Sequence, residues 1–398
     1  MTQKTWGIFL LVCAFGLLGF VAYKNSPKRQ VPIIFSARNE LLSLWNEYKS
    51  EYIEKDSYRV LDKQKDNITT SEGQSYAMLR AIWLDDKETF DKTWQWTKDN
   101  LQRDEDQLFS WLFGMRADGT FGILTDKGGE NTATDADTDI ALALIFASAR
   151  WNQQNYLGDA IIIINSVWEN EVAMVQGKPY LVANNLEKNA PTNMVINPSY
   201  FSPYAYRIFA KVDGNHDWMA LVDTSYEVLE KSIESPLDTG SSANLPPDWI
   251  FMNKTTGALS APTGNNLTTN MSYDALRIPF RLALDYQWFN EPRAKEILSK
   301  MSFLSTEWNN HAIIYTGYSH SGEPVYKNQS AAFYGGTLGY FIVVDPNNAK
   351  MIHDNKLQIL YSPDTGKWKV PLGYYDDNWA WFGIALYNNM LPNLVPQL

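Results

Sequence analysis

The chain has 398 residues with 34 Lys and Arg against 45 Asp and Glu, a formal net charge of −11. Four of its bases (Lys4, Lys24, Lys28 and Arg29) stand in the first 29 residues, which hold no acid; the rest is acidic enough to be repelled by nucleic acid and suits a neutral or cationic ligand. The single cysteine, Cys13, leaves everything after residue 29 without a thiol, which excludes an internal disulfide and a thiolate metal site there.

The first element is the stretch Trp6–Tyr23, 18 residues without a charge, near the lower limit for a membrane-spanning helix. No Ala-x-Ala-like cleavage site follows it, so residues 1–29 read as an uncleaved single-pass anchor, with a cleaved secretion signal as the alternative. More bases follow the span than precede it, which by charge alone favours a cytoplasmic body. Large domains translocate regardless of that rule, and the activity inferred below requires an exterior location.

Residues 30–398 read as one domain. Apolar residues recur with helical period near 36–53, 73–84, 86–102, 137–153, 156–172, 201–212, 216–234, 273–288, 292–308, 329–344 and 377–390. Loops rich in Gly, Pro, Asn and Asp separate them, and strand-like runs are confined to Ala312–Tyr318 and Lys367–Val370. The class is mostly α. Helices joined by short turns pair as antiparallel hairpins, and about a dozen close naturally into an (α/α)6 barrel. The 15 Trp, 22 Tyr and 18 Phe exceed what one core absorbs easily and suit a groove that stacks on flat sugar rings.

Three acidic segments carry candidate chemistry. Glu72 sits among small polar neighbours, Thr70-Ser71-Glu72-Gly73-Gln74-Ser75, just before an apolar helical run. Asp135, Asp137 and Asp139 alternate at the head of a second apolar helix, more acids than one cap requires. Asp274 precedes Arg277 by three positions, which puts both on one helical face, where a guanidinium favours an ionised carboxylate. Glu72 has the opposite need: desolvation must hold its proton near neutrality against the pull of a helix N-terminus. One protonated and one ionised carboxyl group flanking a bond is the requirement of glycosidic cleavage.

Together these segments resemble glycoside hydrolase family 8, which includes endoglucanases and cellulose-synthesis-associated hydrolases. Thr69–Met78 is similar to the family's general-acid segment, Ala133–Trp151 to its signature, and Tyr273–Pro279 to its base segment. Trp111-Leu-Phe-Gly114, Ile196–Pro203, Pro247-Asp248-Trp249 and Tyr374-Tyr-Asp376 match further family strings in the family's order. The resemblance implies an (α/α)6 barrel and an inverting mechanism without metal or organic cofactor. By residue, it implies Glu72 as general acid and Asp274 as base. Asp135 or Asp137, Asp135 by alignment, would bind and distort the sugar at the cleavage point. Trp111 and Tyr200 would contact sugar or orient water, Asp248 and Trp249 would lie along the groove wall, and Arg277 and Arg281 would brace the base. Pro246 departs from the small or aliphatic residue expected beside that wall.

The substrate implied is a β-1,4-linked polysaccharide. A membrane anchor without a carbohydrate-binding module suits an endo-acting hydrolase that trims an exopolysaccharide leaving a synthase in the same membrane. Alternatives are a cellulase, mixed-linkage glucanase or chitosanase, anchored or secreted, and a polysaccharide-binding barrel that has lost catalysis.

Overall fold

The computed structural model describes residues 37–264 and 267–395, so the expected membrane segment lies outside the described residues. Among the described residues no helix is long and apolar enough to cross a membrane. They hold thirteen α-helices: α1 Ala37–Tyr52, α2 Ser71–Leu84, α3 Lys87–Leu101, α4 Thr134–Trp151, α5 Gln154–Glu171, α6 Pro203–Val212, α7 Trp218–Glu234, α8 Arg277–Phe289, α9 Pro292–Lys300, α10 Phe303–His311, α11 Ala331–Val344, α12 Pro346–Ile352 and α13 Tyr374–Tyr387.

Packing sorts twelve of these into two rings. Helices α2, α4, α6, α8, α11 and α13 each pack on the next in that order. The circle closes through side chains, with Arg80 of α2 donating to Asp377 and Asn378 of α13 and Tyr76 lying edge-on to Trp379 and Phe382. Against this ring α3, α5, α7, α9 and α12 each pack on the inner helix just before them, and α1 packs on α13. The result is the arrangement expected of an (α/α)6 barrel, with α10 additional.

Side-chain pattern explains the sorting. Inner helices are buried on every side: Thr134–Ser148 of α4 is buried without interruption, as a helix enclosed by neighbours must be. Outer helices bury one stripe, such as Phe90, Trp94 and Leu101 of α3. Inner-to-outer turns are short and locally encoded. Asp85, Asn152 and Asn290 adopt the left-handed conformation that ends α2, α4 and α8, and Asp86, Asp217 and Asp345 cap outer helices with their carboxylates.

Outer-to-inner connections are longer and carry strands absent from the sequence reading. Strands β1 (Thr69–Thr70), β2 (Leu112–Met115) and β3 (Phe121–Ile123) form one antiparallel sheet with Thr70 opposite Leu112. Strands β4 (Val172–Val175) and β5 (Lys178–Leu181) form a hairpin, and β6 (Asn193–Ile196), β7 (Ile250–Asn253) and β8 (Leu259–Ser260) form a second sheet. The expected strands shrink to Gly317–Tyr318 and Lys367–Trp368. Periodicity also ran two helices together: 292–308 breaks at Met301–Ser302 into α9 and α10. Helix α12, with seven residues, is too short to show a period. Residues 273–276, expected to be helical, form the turn before α8.

Where α11 meets α13 the backbones touch. A Cβ on Gly335 would lie 1.9 Å from the Trp379 carbonyl oxygen and 2.6 Å from its carbon, atoms of a helix that cannot move aside. Gly335→Ala is expected to destabilise the domain by about 1–3 kcal/mol or more, read as a lowered Tm; an unchanged Tm would mean the two helices are not held at this spacing.

Candidate active site

A cavity of about 590 Å³ opens where the inner helices begin, and its lining includes Glu72, Trp111, Asp135, Tyr200, Asp274 and Arg277. They arrive at four places in the chain: Glu72 at the start of α2, Trp111 and Asp135 on the way into α4, Tyr200 before α6, and Asp274 with Arg277 on the way into α8. Thr70 caps α2 by accepting the Gly73 N–H at 3.0 Å, so Glu72 in the same first turn is free of capping duty. Gly73 must lack a side chain, since a Cβ there would meet the Tyr374 hydroxyl at 2.8 Å. That hydroxyl donates to Glu72 Oε1 at 3.5 Å. Ser71 N–H donates to the Trp111 carbonyl at 3.1 Å and the Trp111 indole donates to Gly128 at 2.9 Å, which ties the tryptophan beside the acid.

One buried guanidinium organises the centre. Arg277, the first residue of α8, donates from Nη1 to Glu72 Oε2 at 3.0 Å and to Asp135 Oδ2 at 2.9 Å, and from Nη2 to Asp274 Oδ1. Glu72 and Asp274, 202 positions apart in the numbering, are thereby held on one fork. Burial pushes the Glu72 carboxyl up to about 7 against the pull of Arg277, with Asp135 and Asp274 pushing the same way. Asp135 is likewise raised by burial, opposed by Arg277 and Arg281.

Asp274 stands on the turn Tyr273–Leu276, and Asp248 holds that turn. Its carboxylate accepts the Ser272 N–H at 3.0 Å, the Ala275 N–H at 2.8 Å and the Ser272 hydroxyl. The next residue, Trp249, donates its indole N–H to Asp274 Oδ2 at 3.1 Å. Both oxygens of Asp274 therefore accept hydrogen bonds, one from Arg277 and one from Trp249. Tyr200 lies edge-on to Trp249 and under the Arg277 guanidinium.

Three of the expected site residues, Asp248, Asp137 and Arg281, lie behind the groove. Asp248 is buried and serves the turn. Asp137, fully buried, accepts the Phe109 N–H at 2.9 Å and faces Glu171, because two steps along a helix turn it away from Asp135. Arg281, one helical turn below Arg277, pairs with Asp139 and with the hydroxyls of Ser202 and Tyr204, and does not reach Asp274. None of the three acids heading α4 caps it: the N-cap is Ala133, without a side-chain bond. Sequence reasoning passed over the groove residues Asp62, Gln64 and Lys65, which sit in a polar loop without a motif, and gave no role to the flanking pair Tyr273 and Tyr375, quoted only within matched strings. It also missed a legible signal, the matched i, i+4 spacing of Asp135/Asp139 and Arg277/Arg281.

A barrel of helix pairs with paired carboxyl groups in an aromatic-lined groove defines a carbohydrate-cleaving class of enzyme. The model of glycosyl hydrolases family 8 matches residues 29–366, and the chain belongs to that family and is a glycoside hydrolase. It is 30% identical to Endoglucanase 2 of Ruminiclostridium josui over 349 residues, covering 84% of this chain and 68% of the relative. It is 28% identical to an endoglucanase of Escherichia coli K12 over 272 residues, 66% of this chain and 67% of the relative. Among solved structures, an endo-1,4-D-glucanase of Vibrio fischeri superposes with a TM-score of 0.72 at 24% identity, covering 86% of this chain and 94% of that one. CMCax, an endo-β-1,4-glucanase of Acetobacter xylinum, superposes with a TM-score of 0.67 at 21% identity, over 89% and 99%.

Replacing Arg277 by Met removes the charge that three carboxyl groups share. Arg277→Met is expected to cost about 3–5 kcal/mol of stability at neutral pH, measured by denaturant unfolding. The loss shrinks as pH falls, because the orphaned carboxyls then take up protons; an equal loss at pH 5 and pH 8 would contradict the shared-charge account.

Proposed function

We propose that the groove cleaves a β-1,4-linked polysaccharide at internal positions with inversion of the anomeric centre. The observation that carries this is the bridging of Glu72 and Asp274 by one guanidinium. Glu72, raised to about 7, donates its proton to the leaving glycosidic oxygen. Asp274 takes a proton from the water that attacks the anomeric carbon from the opposite face, and Asp135 holds the sugar at the cleavage point. Inversion requires these carboxyls to stand roughly 6.5–9.5 Å apart, with room between them for the attacking water. Trp111, Tyr200 and the exposed ring of Tyr273 supply surfaces on which sugar rings stack.

The polymer proposed is an exopolysaccharide made by the same cell, trimmed as it leaves a synthase in the same membrane. Supporting this are the uncharged stretch Trp6–Tyr23, read as an anchor that holds the domain of residues 30–398 outside the cell, and a groove whose acids exclude strongly anionic chains. The names of the endoglucanase relatives support a second reading, cleavage of cellulose.

Residues 30–398, incubated with defined polymers and followed by reducing ends and by NMR of the anomer first released, test the proposal. Release of the α-anomer from a β-linked chain is expected; release of the β-anomer would overturn inversion. Glu72→Gln is expected to lower turnover by about 10²–10⁴ with polymer binding kept. In the wild type, kcat/KM is expected to fall as pH rises through about 7, since the acid must be protonated to act; a profile still rising at pH 9 would remove Glu72 from that role.

A further inference from the structure

Behind the groove lies a carboxyl pair that the proposed reaction does not use. Asp137, two positions after Asp135 on α4, meets Glu171, the last residue of α5, and both are fully buried. Each has one satisfied oxygen. Asp137 Oδ1 accepts the Phe109 N–H at 2.9 Å, and Glu171 Oε1 accepts the Thr132 hydroxyl. The second oxygens, Asp137 Oδ2 and Glu171 Oε2, receive no N–H or O–H donor, yet the two carboxyls are within hydrogen-bonding reach of each other.

Among the described residues neither acid forms an ion pair with Lys, Arg or His. The charged group facing both is Asp106, from the loop after α3, itself tied to Arg103, and the uncharged Thr132 and Thr134 complete the surroundings of Glu171. Two buried carboxylates facing each other without a cation would repel strongly. One proton between them turns two orphaned acceptors into a short, charge-assisted bond.

We propose that Asp137 and Glu171 share one proton, and that this bond positions the groove from behind by tying the start of α4, which carries Asp135, to the segments that carry Trp111. The links are covalently close. Phe109 precedes Trp111 by two residues, and Thr132 follows Asn131, whose carbonyl accepts the Trp111 N–H at 2.8 Å. Thr132 is itself clamped, accepting the Asn185 N–H at 2.9 Å while donating its hydroxyl to Glu171. Asp137 and Glu171 are thus positioning residues, acting on sugar only through Asp135 and Trp111.

Burial pushes Glu171 up to about 8 and Asp137 well above the usual carboxylate range. A raised carboxyl stabilises the fold fully below its unfolded value, about 4.5, and loses that contribution as pH rises through about 8. Glu171→Gln replaces the shared proton by an amide N–H, keeps the acceptor for Thr132 and no longer titrates; Glu171→Ala leaves Asp137 alone.

The test measures Tm and tryptophan emission between pH 5 and pH 9, with kcat and KM on the cleaved polymer. Only the kinetic arm rests on the glycosidase reading; if the wild type turns over no polymer, the first two readouts still decide the shared proton. The Tm of Glu171→Gln relative to wild type is expected to climb with pH up to about 8, with kcat kept within about twofold. Glu171→Ala, folded by circular dichroism, is expected to lose about tenfold or more in kcat as the sugar-contacting groups shift. If it does not fold, Glu171→Asp, one methylene shorter, is expected to show the same loss. A pH-independent Tm difference for Glu171→Gln would overturn the shared proton, and a folded Glu171→Ala or Glu171→Asp with wild-type kcat and KM would overturn the positioning role.

Discussion

Three carboxyl groups, Glu72, Asp135 and Asp274, converge on the single guanidinium of Arg277, and that stoichiometry governs the site. Were all three ionised, the cluster would carry two uncompensated negative charges in a partly dry groove. At an effective dielectric near 20, a like-charge pair about 4 Å apart costs about 4 kcal/mol, against about 1.4 kcal/mol for one unit of pKa. Retention of a proton somewhere in the cluster is therefore the lower-energy state near neutrality. Glu72 is raised to about 7 chiefly by burial, with Asp135 and Asp274 pushing the same way, so the shortage of positive charge adds to desolvation in holding a proton on that carboxyl.

The same logic continues one helical turn below. Asp139 and Arg281 form a second, fully enclosed pair, and because Asp135 and Asp139 are four apart on α4 while Arg277 and Arg281 are four apart on α8, the two pairs are rungs of one ladder across the barrel. A buried ion pair adds little net stability, since desolvation offsets its attraction, but a misplaced one is heavily penalised. The lower rung thereby fixes the register of α8 against α4, and with it the reach of Arg277 into the groove. Arg281 serves the site at one remove, through geometry.

How far all this could be read from residues follows from the range of each signal. Helical period is local, so the inner and outer helices were visible except where a helix was short, as Pro346–Ile352, or broken without a Gly or Pro between its halves, as at Met301–Ser302. Strand pairs such as Thr70 with Leu112 join segments 42 positions apart and contain two to four residues each, too little for a period of two to register. Glu72, Asp135, Asp274 and Arg277 stood out because acids among small or apolar neighbours are out of place. The same irregularity singled out Asp137, and the family resemblance added Asp248 and Arg281; burial of these three serves backbone and register instead, because residue type shows that a polar group is enclosed while its partner is a property of the fold.

The two carboxyls are held by different kinds of structure. Glu72 belongs to the first turn of a capped inner helix, and its position is set by the barrel itself. Asp274 rides on a turn outside any helix, pinned by three hydrogen bonds to Asp248 and steadied by the Trp249 indole, both supplied by the connection between α7 and α8. Helix packing resists displacement because a shift of α2 would disturb every neighbour in the inner ring. A connection can change length or composition at much smaller cost. With Glu72 on the frame and Asp274 on a connection, the gap between them can be altered by editing Leu245–Trp249, the segment where Pro246 already departs from the expected pattern, without repacking the core.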